Sequence, residues 1–378
     1  MTQPFKAPKR LLMGPGPSNV APEVLAASAQ ATIGHLDPAF TAMMEEVKDL
    51  LRYAFQTKNQ VTFPISAPAS LAMEAGLVNV LEHGDTAIIA QNGVFGGRMA
   101  DIVTRCGANL VLVETDWGKP VDLDKVAQAI KAHPGAKLLG FVHAETSTGA
   151  VSDAAALARM AADAGMLSLM DTVTGLGGVP VLVDDWGVDI TYSGTQKCLS
   201  VPPGLAPFTV SERAIQVVKA RKTKVQSWFS DLNLQLGYWS GQGGRSYHHT
   251  APVNALYGLH EGLRRLREEG LEASWARHAE AHRRLANGLQ GLELDFVVDA
   301  PHRLPQLNSV WVPAGVDDAA TRATLLNDYG IEIGAGLGPF AGKVWRIGLM
   351  GETAKDDNVD RLLDALAKVL GRGLKAAE

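Results

Sequence analysis

At 378 residues the chain is too long for one small core, so two domains are expected. Hydrophobic residues at 46%, charged residues at 20% and 39 glycines fit a soluble, loop-rich globular enzyme. A net charge of −5 argues against a nucleic-acid or anionic-membrane partner, and only two cysteines, Cys106 and Cys198, argue against a disulfide framework and for a reducing cytoplasm.

In chain order, Met1 to Arg10 has no apolar signal core. Ser66-Ala67-Pro68-Ala69-Ser70 precedes a helix expected over Leu71 to Leu81. From there strand and helix patterns alternate: strand Thr86 to Ala90, helix Val94 to Arg105, strand Asn109 to Glu114, helix Asp122 to Ala132 with Asp122 as N-cap. Strand Lys137 to His143, helix Asp153 to Ala164, and strands Met166 to Met170 and Val188 to Tyr192 follow. Arg159 and Asp163 interrupt the alanine-rich stretch Ala154 to Met170, which excludes a membrane span. Such alternation predicts an α/β fold with a mostly parallel sheet covered on both faces. Leu205 to Val210 follows after a short turn, so it should pair antiparallel with the strand before it.

After Pro252 the period changes. Asn254 to Leu289 reads as helix, with Gly270 interrupting it. The remainder reads as a smaller α+β unit. Its strands are Leu294 to Val298, Ser309 to Val312, Ile331 to Ile333 and Lys343 to Ile347, and its helices Asp318 to Asp328 and Asp356 to Leu370.

Several segments carry chemistry. Lys197 lies in Ser193-Gly194-Thr195-Gln196-Lys197, between a strand end and the Pro202-Pro203-Gly204 break. Asp171 ends the preceding apolar run. A lysine and a buried carboxylate at neighbouring strand ends are what pyridoxal phosphate needs: an amine for the aldehyde and an anion for the ring nitrogen. A surface lysine and an Asp capping a turn would leave the same trace. The Ser66–Ser70 segment offers free N–H groups at a helix start to a phosphate, and otherwise serves as an ordinary cap. Phe95, after Asn92-Gly93-Val94, can stack on a planar ring or fill core. His143 to Gly149 brings hydroxyls to a strand end. Arg346, between Trp345 and Ile347 in an apolar strand, needs a carboxylate or phosphate partner, from a ligand or from the protein.

Together these segments resemble the class V, fold-type I pyridoxal-phosphate aminotransferases, in the branch of alanine–glyoxylate, serine–glyoxylate and serine–pyruvate enzymes. The resemblance runs from Gly14-Pro15-Gly16-Pro17 to Trp345-Arg346-Ile347-Gly348. It implies an N-terminal active-site segment (1–20), a large cofactor domain with a mostly parallel seven-stranded sheet (21–260) and a small C-terminal domain (261–378). It implies that Lys197 bonds the cofactor aldehyde, Asp171 pairs with the pyridine nitrogen, Thr146 reaches the phenolic oxygen, Phe95 stacks on the ring, and Ala69, Ser70 and Gln196 hold the phosphate. Tyr247 and Thr250 would reach the phosphate of the partner in a homodimer with shared sites, helped by the loop Gly241-Gln242-Gly243-Gly244. Arg346 would bind the substrate carboxylate, with Gly16 in the loop covering the site. No metal is expected. The implied reaction is ping-pong transfer of an amino group from alanine or serine, or another donor, to glyoxylate or pyruvate, with the freed, neutral Lys197 moving the α-proton. Ala67-Pro68-Ala69 departs from the family's glycine-rich cup, and Pro68 removes one N–H donor.

The rivals fit less well. A cysteine desulfurase needs a cysteine well downstream of the lysine, and none follows Cys198. A non-catalytic cofactor-binding regulator would be expected to carry a DNA-binding extension. Hydrolase motifs are missing, and His278 and His282, among Arg277, Arg283 and Arg284, read as a solvated helix face.

Overall fold

Runs such as Thr86–Gln91 and Leu138–Val142 are apolar on both faces, so they are stable only between two covering layers. The structure, a computed structural model that describes residues 2–239 and 245–373, places them there. The large sheet contains β1 (Val61–Ile65), β2 (Thr86–Gln91), β3 (Asn109–Glu114), β4 (Leu138–Val142), β5 (Leu167–Asp171), β6 (Ile190–Tyr192) and β7 (Ala206–Val210). Their order is β1-β7-β6-β5-β4-β2-β3. Only β7 runs antiparallel to its neighbours, and its turn from β6 contains Lys197. The sheet is thus seven-stranded and mostly parallel, as expected.

Helices α1 (Pro38–Phe55), α2 (Ala69–Val80), α3 (Val94–Arg105), α4 (Leu123–Ala132) and α5 (Ala154–Asp163) cover it. Asp37, Asp122 and Asp153 each cap a helix by accepting a main-chain N–H. Helix α2 starts two residues earlier than Leu71, because Pro68 with its fixed φ stands at the N-cap. One core spans Ala21 to Leu271 and buries Leu77, Ile89, Phe141, Leu169 and Phe208.

The expected long helix is two: α6 (Val253–Glu269) and α7 (Leu271–Gly291). Gly270 parts them with φ 86°, a conformation that side-chain-bearing residues avoid. Beyond them β8 (Leu307–Trp311), β9 (Gly334–Ala335) and β10 (Val344–Gly348) form a second sheet, order β8-β10-β9, backed by α7, α8 (Asp318–Asp328) and α9 (Asp356–Leu370). A second core joins Leu285, Leu325, Trp345 and Leu366 to Leu11 and Met13 from the chain's start.

Two expectations are corrected. Leu294–Val298 is no strand: Phe296 forms a single bridge to Val310, and the chain leaves into a short 3-10 turn at Ala300. His278 and His282 do not form a solvated face. His278 is fully buried, and its Nε2 accepts the Gly351 N–H at 2.9 Å, while His282 bonds Asn308 at 2.6 Å. The arginines around them pair with Glu269, Glu280 and Asp360, so the charge pattern hid a buried His278 and a part-buried His282.

Candidate active site

The site lies at the C-terminal ends of β4, β5 and β6, the edge where parallel sheets bind ligands. Asp171 closes β5 and is 2% exposed. Val173 N–H donates to its Oδ1 and the Tyr192 hydroxyl to its Oδ2, both at 2.8 Å. Burial pushes the carboxyl up to about 6, and these donors, with the charges of Lys197 and Arg98, work against that rise.

Lys197 follows β6 and is 8% exposed. Burial, and then the charge of Arg346, lower its ammonium to about 8. Its Nζ donates to the carbonyl oxygen of Pro15, so the Gly14–Pro17 loop lies over it. Gly16 has φ 103°, and a Cβ there would come within 2.5 Å of Nζ. Ser18 pins the loop: its N–H donates to the Gln196 carbonyl at 2.9 Å and its hydroxyl to the Lys197 carbonyl at 2.7 Å.

Arg346 lies mid-strand in β10, buried, between β8 and β9. It donates to the carbonyls of Ala335 at 2.7 Å and Thr146 at 3.2 Å. Among the described residues it forms no ion pair, and burial lowers it to about 10 while Glu145 opposes that shift. A guanidinium so placed has donors left to pair with a carboxylate. It joins the two sheets at Thr146, whose hydroxyl meets that of Thr174 at 2.5 Å.

The other expected residues divide into two groups, the first of which is joined by the unexpected Val173. Ala69, Val173 and Gln196 converge on Gly194: an added Cβ there would stand 3.4, 3.3 and 2.8 Å from them. The N–H groups of Ala69 and Ser70, at the first turn of α2, have no helical acceptor. Ser70 accepts from Arg98 at 2.9 Å, and Arg98 stands 5.0 Å from the Phe95 ring centre. Phe95 is half-buried at the start of α3. These residues tie to the two charged residues through Gln196, which precedes Lys197, through Val173, which donates to Asp171, and through the charge of Arg98 on Asp171. Tyr247 and Thr250 form the other group. They bond each other at 3.3 Å on the surface, Tyr247 being 66% exposed, while His249 bonds Ser66 at 2.7 Å beside α2. The Gly241–Gly244 loop lies outside the described residues.

Four residues escape the sequence reading: Tyr192, Val173, Arg98 and Glu145. Glu145 is fully buried and bonds Ser147 at 2.6 Å; burial pushes it up to about 7, with Ser147 and the Phe95 N–H opposing. Tyr192 stands beside Asp171 through strand register, which no local motif encodes, whereas Val173 donates to it from two residues along the chain. The donor set as a whole fits pyridoxal phosphate: a buried amine of lowered basicity, a buried carboxylate with fixed donors, and free N–H groups at a helix start.

A family model described as aminotransferase class V matches residues 13–362. An alanine–glyoxylate aminotransferase of Callithrix jacchus is 41% identical over 372 residues, covering 98% of this chain and 90% of the relative. The crystal structure of an alanine–glyoxylate aminotransferase from Nostoc sp. superposes with a TM-score of 0.95 at 45% identity, covering 98% of this chain and 97% of that one. That of a ureidoglycine–glyoxylate aminotransferase from Bacillus subtilis superposes with a TM-score of 0.96 at 38% identity, covering 99% and 97%.

Proposed function

Because the chain belongs to the class V aminotransferases, we propose that it transfers the amino group of a small amino acid, alanine or serine, to glyoxylate, with pyruvate as the lesser acceptor, using pyridoxal 5'-phosphate bound at Lys197. The observation that carries the reading is the meeting of Lys197 and Asp171, at the edge of the large sheet, with Arg346 of the second sheet, the amine lying under the Gly14–Pro17 loop. Bound there, the cofactor supplies an aldehyde for the amine and a ring that draws electrons from the α-carbon.

The chain's own residues do the rest. Arg346 binds the α-carboxylate in a bidentate pair and turns the α-carbon toward Lys197. Lys197, free and neutral, takes the α-proton and returns it, a role that its lowered basicity suits. Asp171 holds the ring nitrogen as an anion. Ala69, Ser70 and Gln196 hold the phosphate, with Arg98 tied to Ser70 as a further positive charge that offsets the N–H missing at Pro68. Phe95 and Val173 would pack against the ring. The loop through Pro15 and Gly16 keeps water from the amine. Tyr247 and Thr250 serve the phosphate of a second subunit, so the enzyme is a homodimer with shared sites. The two free, buried cysteines support the cytoplasm as its setting.

The test is a half-reaction screen. Purified protein loaded with pyridoxal phosphate should lose its visible cofactor band with alanine or serine and regain it with glyoxylate. (S)-Ureidoglycine belongs in the panel because the 38%-identical Bacillus subtilis enzyme is named for it. A stronger response to that donor would reassign the donor alone. A stronger response to aspartate or glutamate would refute the small-donor reading, and borohydride fixing the cofactor to any lysine but Lys197 would refute the site.

A further inference from the structure

The register of the large sheet sets Tyr192 beside Asp171: they are partners at the ends of β6 and β5. Tyr192 is fully buried and donates to Oδ2, while Val173 N–H donates to Oδ1. Each carboxylate oxygen thus has a donor before any ligand arrives, and each donor favours the ionised form. Burial and the adjacent carboxylate hold the phenol well above its ordinary range, so in this contact it only donates. Burial alone favours a protonated Asp171, and the two donors oppose it. The main-chain donor is a property of the fold. The phenol is a choice of side chain.

We propose that Tyr192 is a positioning residue which, by donating to Asp171 Oδ2, decides whether the proton shared between Asp171 and the cofactor's ring nitrogen stays on nitrogen. The inference rests on the pyridoxal phosphate reading above. With the phenol present, the carboxylate is the weaker base and the nitrogen keeps its proton. Without it, one donor is left in a dry site. The carboxylate becomes the stronger base and an oxygen lone pair takes the proton, so the N–H bond breaks, an O–H bond forms, and the ring becomes neutral. A neutral ring draws electrons less strongly, so kcat falls while KM holds.

The test reads the proton directly. Wild-type protein and Tyr192→Phe are loaded with pyridoxal phosphate labelled with nitrogen-15 in the ring, and the nitrogen resonance is recorded at about pH 7. The wild-type resonance should be that of a protonated ring, and that of Tyr192→Phe should move more than halfway to the unprotonated position with cofactor still bound. A variant resonance that stays with the wild type overturns the proposal. A wild-type protein that takes up no pyridoxal phosphate overturns both the proposal and the reading beneath it. Should Tyr192→Phe not fold, the wild type carries the test. Its six tyrosines are labelled with carbon-13 at Cζ and compared with bound pyridoxal phosphate and with the analogue that has CH in place of the ring nitrogen. One tyrosine signal should shift between the two, and six unmoved signals overturn the proposal.

Discussion

Lys197 and Arg346 act on each other through charge, and both consequences are measurable. The amine must be neutral to add to an aldehyde. Burial and Arg346 bring it down to about 8, so uptake of pyridoxal phosphate by cofactor-free protein should rise through about pH 8 and level off above it. Arg346→Gln removes a like charge, the ammonium is less disfavoured, and the midpoint should move to higher pH. A stopped-flow pH series on both proteins checks the direction, and a downward shift would contradict it. Arg346→Lys keeps the charge and loses the fork. It should lower kcat/KM about 10–100-fold for amino and oxo acids alike, roughly 1.4–2.7 kcal/mol, with cofactor affinity kept. A loss confined to one substrate would separate Arg346 from the shared α-carboxylate.

Among the elements, the Gly14–Ser18 segment is the one most closely fitted to the chemistry. Gly16→Ala would put a methyl group against Lys197 Nζ at a φ that costs an alanine about 1–2 kcal/mol. Thermal melting should therefore change little, while turnover falls on the order of 100-fold because the amine is displaced. A melt that collapses with turnover would mean the segment holds the fold and not the amine. Motifs with a local cause were legible in the sequence. Val94–Arg105, Asn109–Glu114, Asp318–Asp328 and Asp356–Leu370 have the expected bounds, because caps and breaks mark them. Lys197, Asp171 and Arg346 were legible because each is a charge at an apolar strand's end or middle. Helix α1 was missed although Asp37-Pro38 announces its start. Tyr192 was visible as a strand end but not as a donor to Asp171, since that pairing exists only once β5 and β6 lie side by side. The strand expected at Leu294–Val298 has the right composition. It makes just two main-chain bonds along β8, Val297 to Ser309 and Trp311 to Asp295, too few for a ladder.

At the scale of the whole molecule, the exposed pair Tyr247 and Thr250 completes a second subunit's site in the proposed homodimer. Lys197→Ala subunits mixed with Tyr247→Phe/Thr250→Ala subunits should then regain up to about a quarter of wild-type activity at equal mixing, because each heterodimer holds one intact site. No recovery after proven subunit exchange would contradict shared sites. Within one subunit, the start of the chain is built into the end: Leu11–Leu12 pairs in parallel with Ile331–Glu332, and Gly348 N–H donates to the Met13 carbonyl at 2.7 Å. The loop over Lys197 is therefore anchored at both ends, by the second sheet at Met13 and by Ser18 at Gln196 and Lys197. Any shift of the second sheet against the large one thus carries Arg346 and one end of the amine's cover together, like two parts on one shaft.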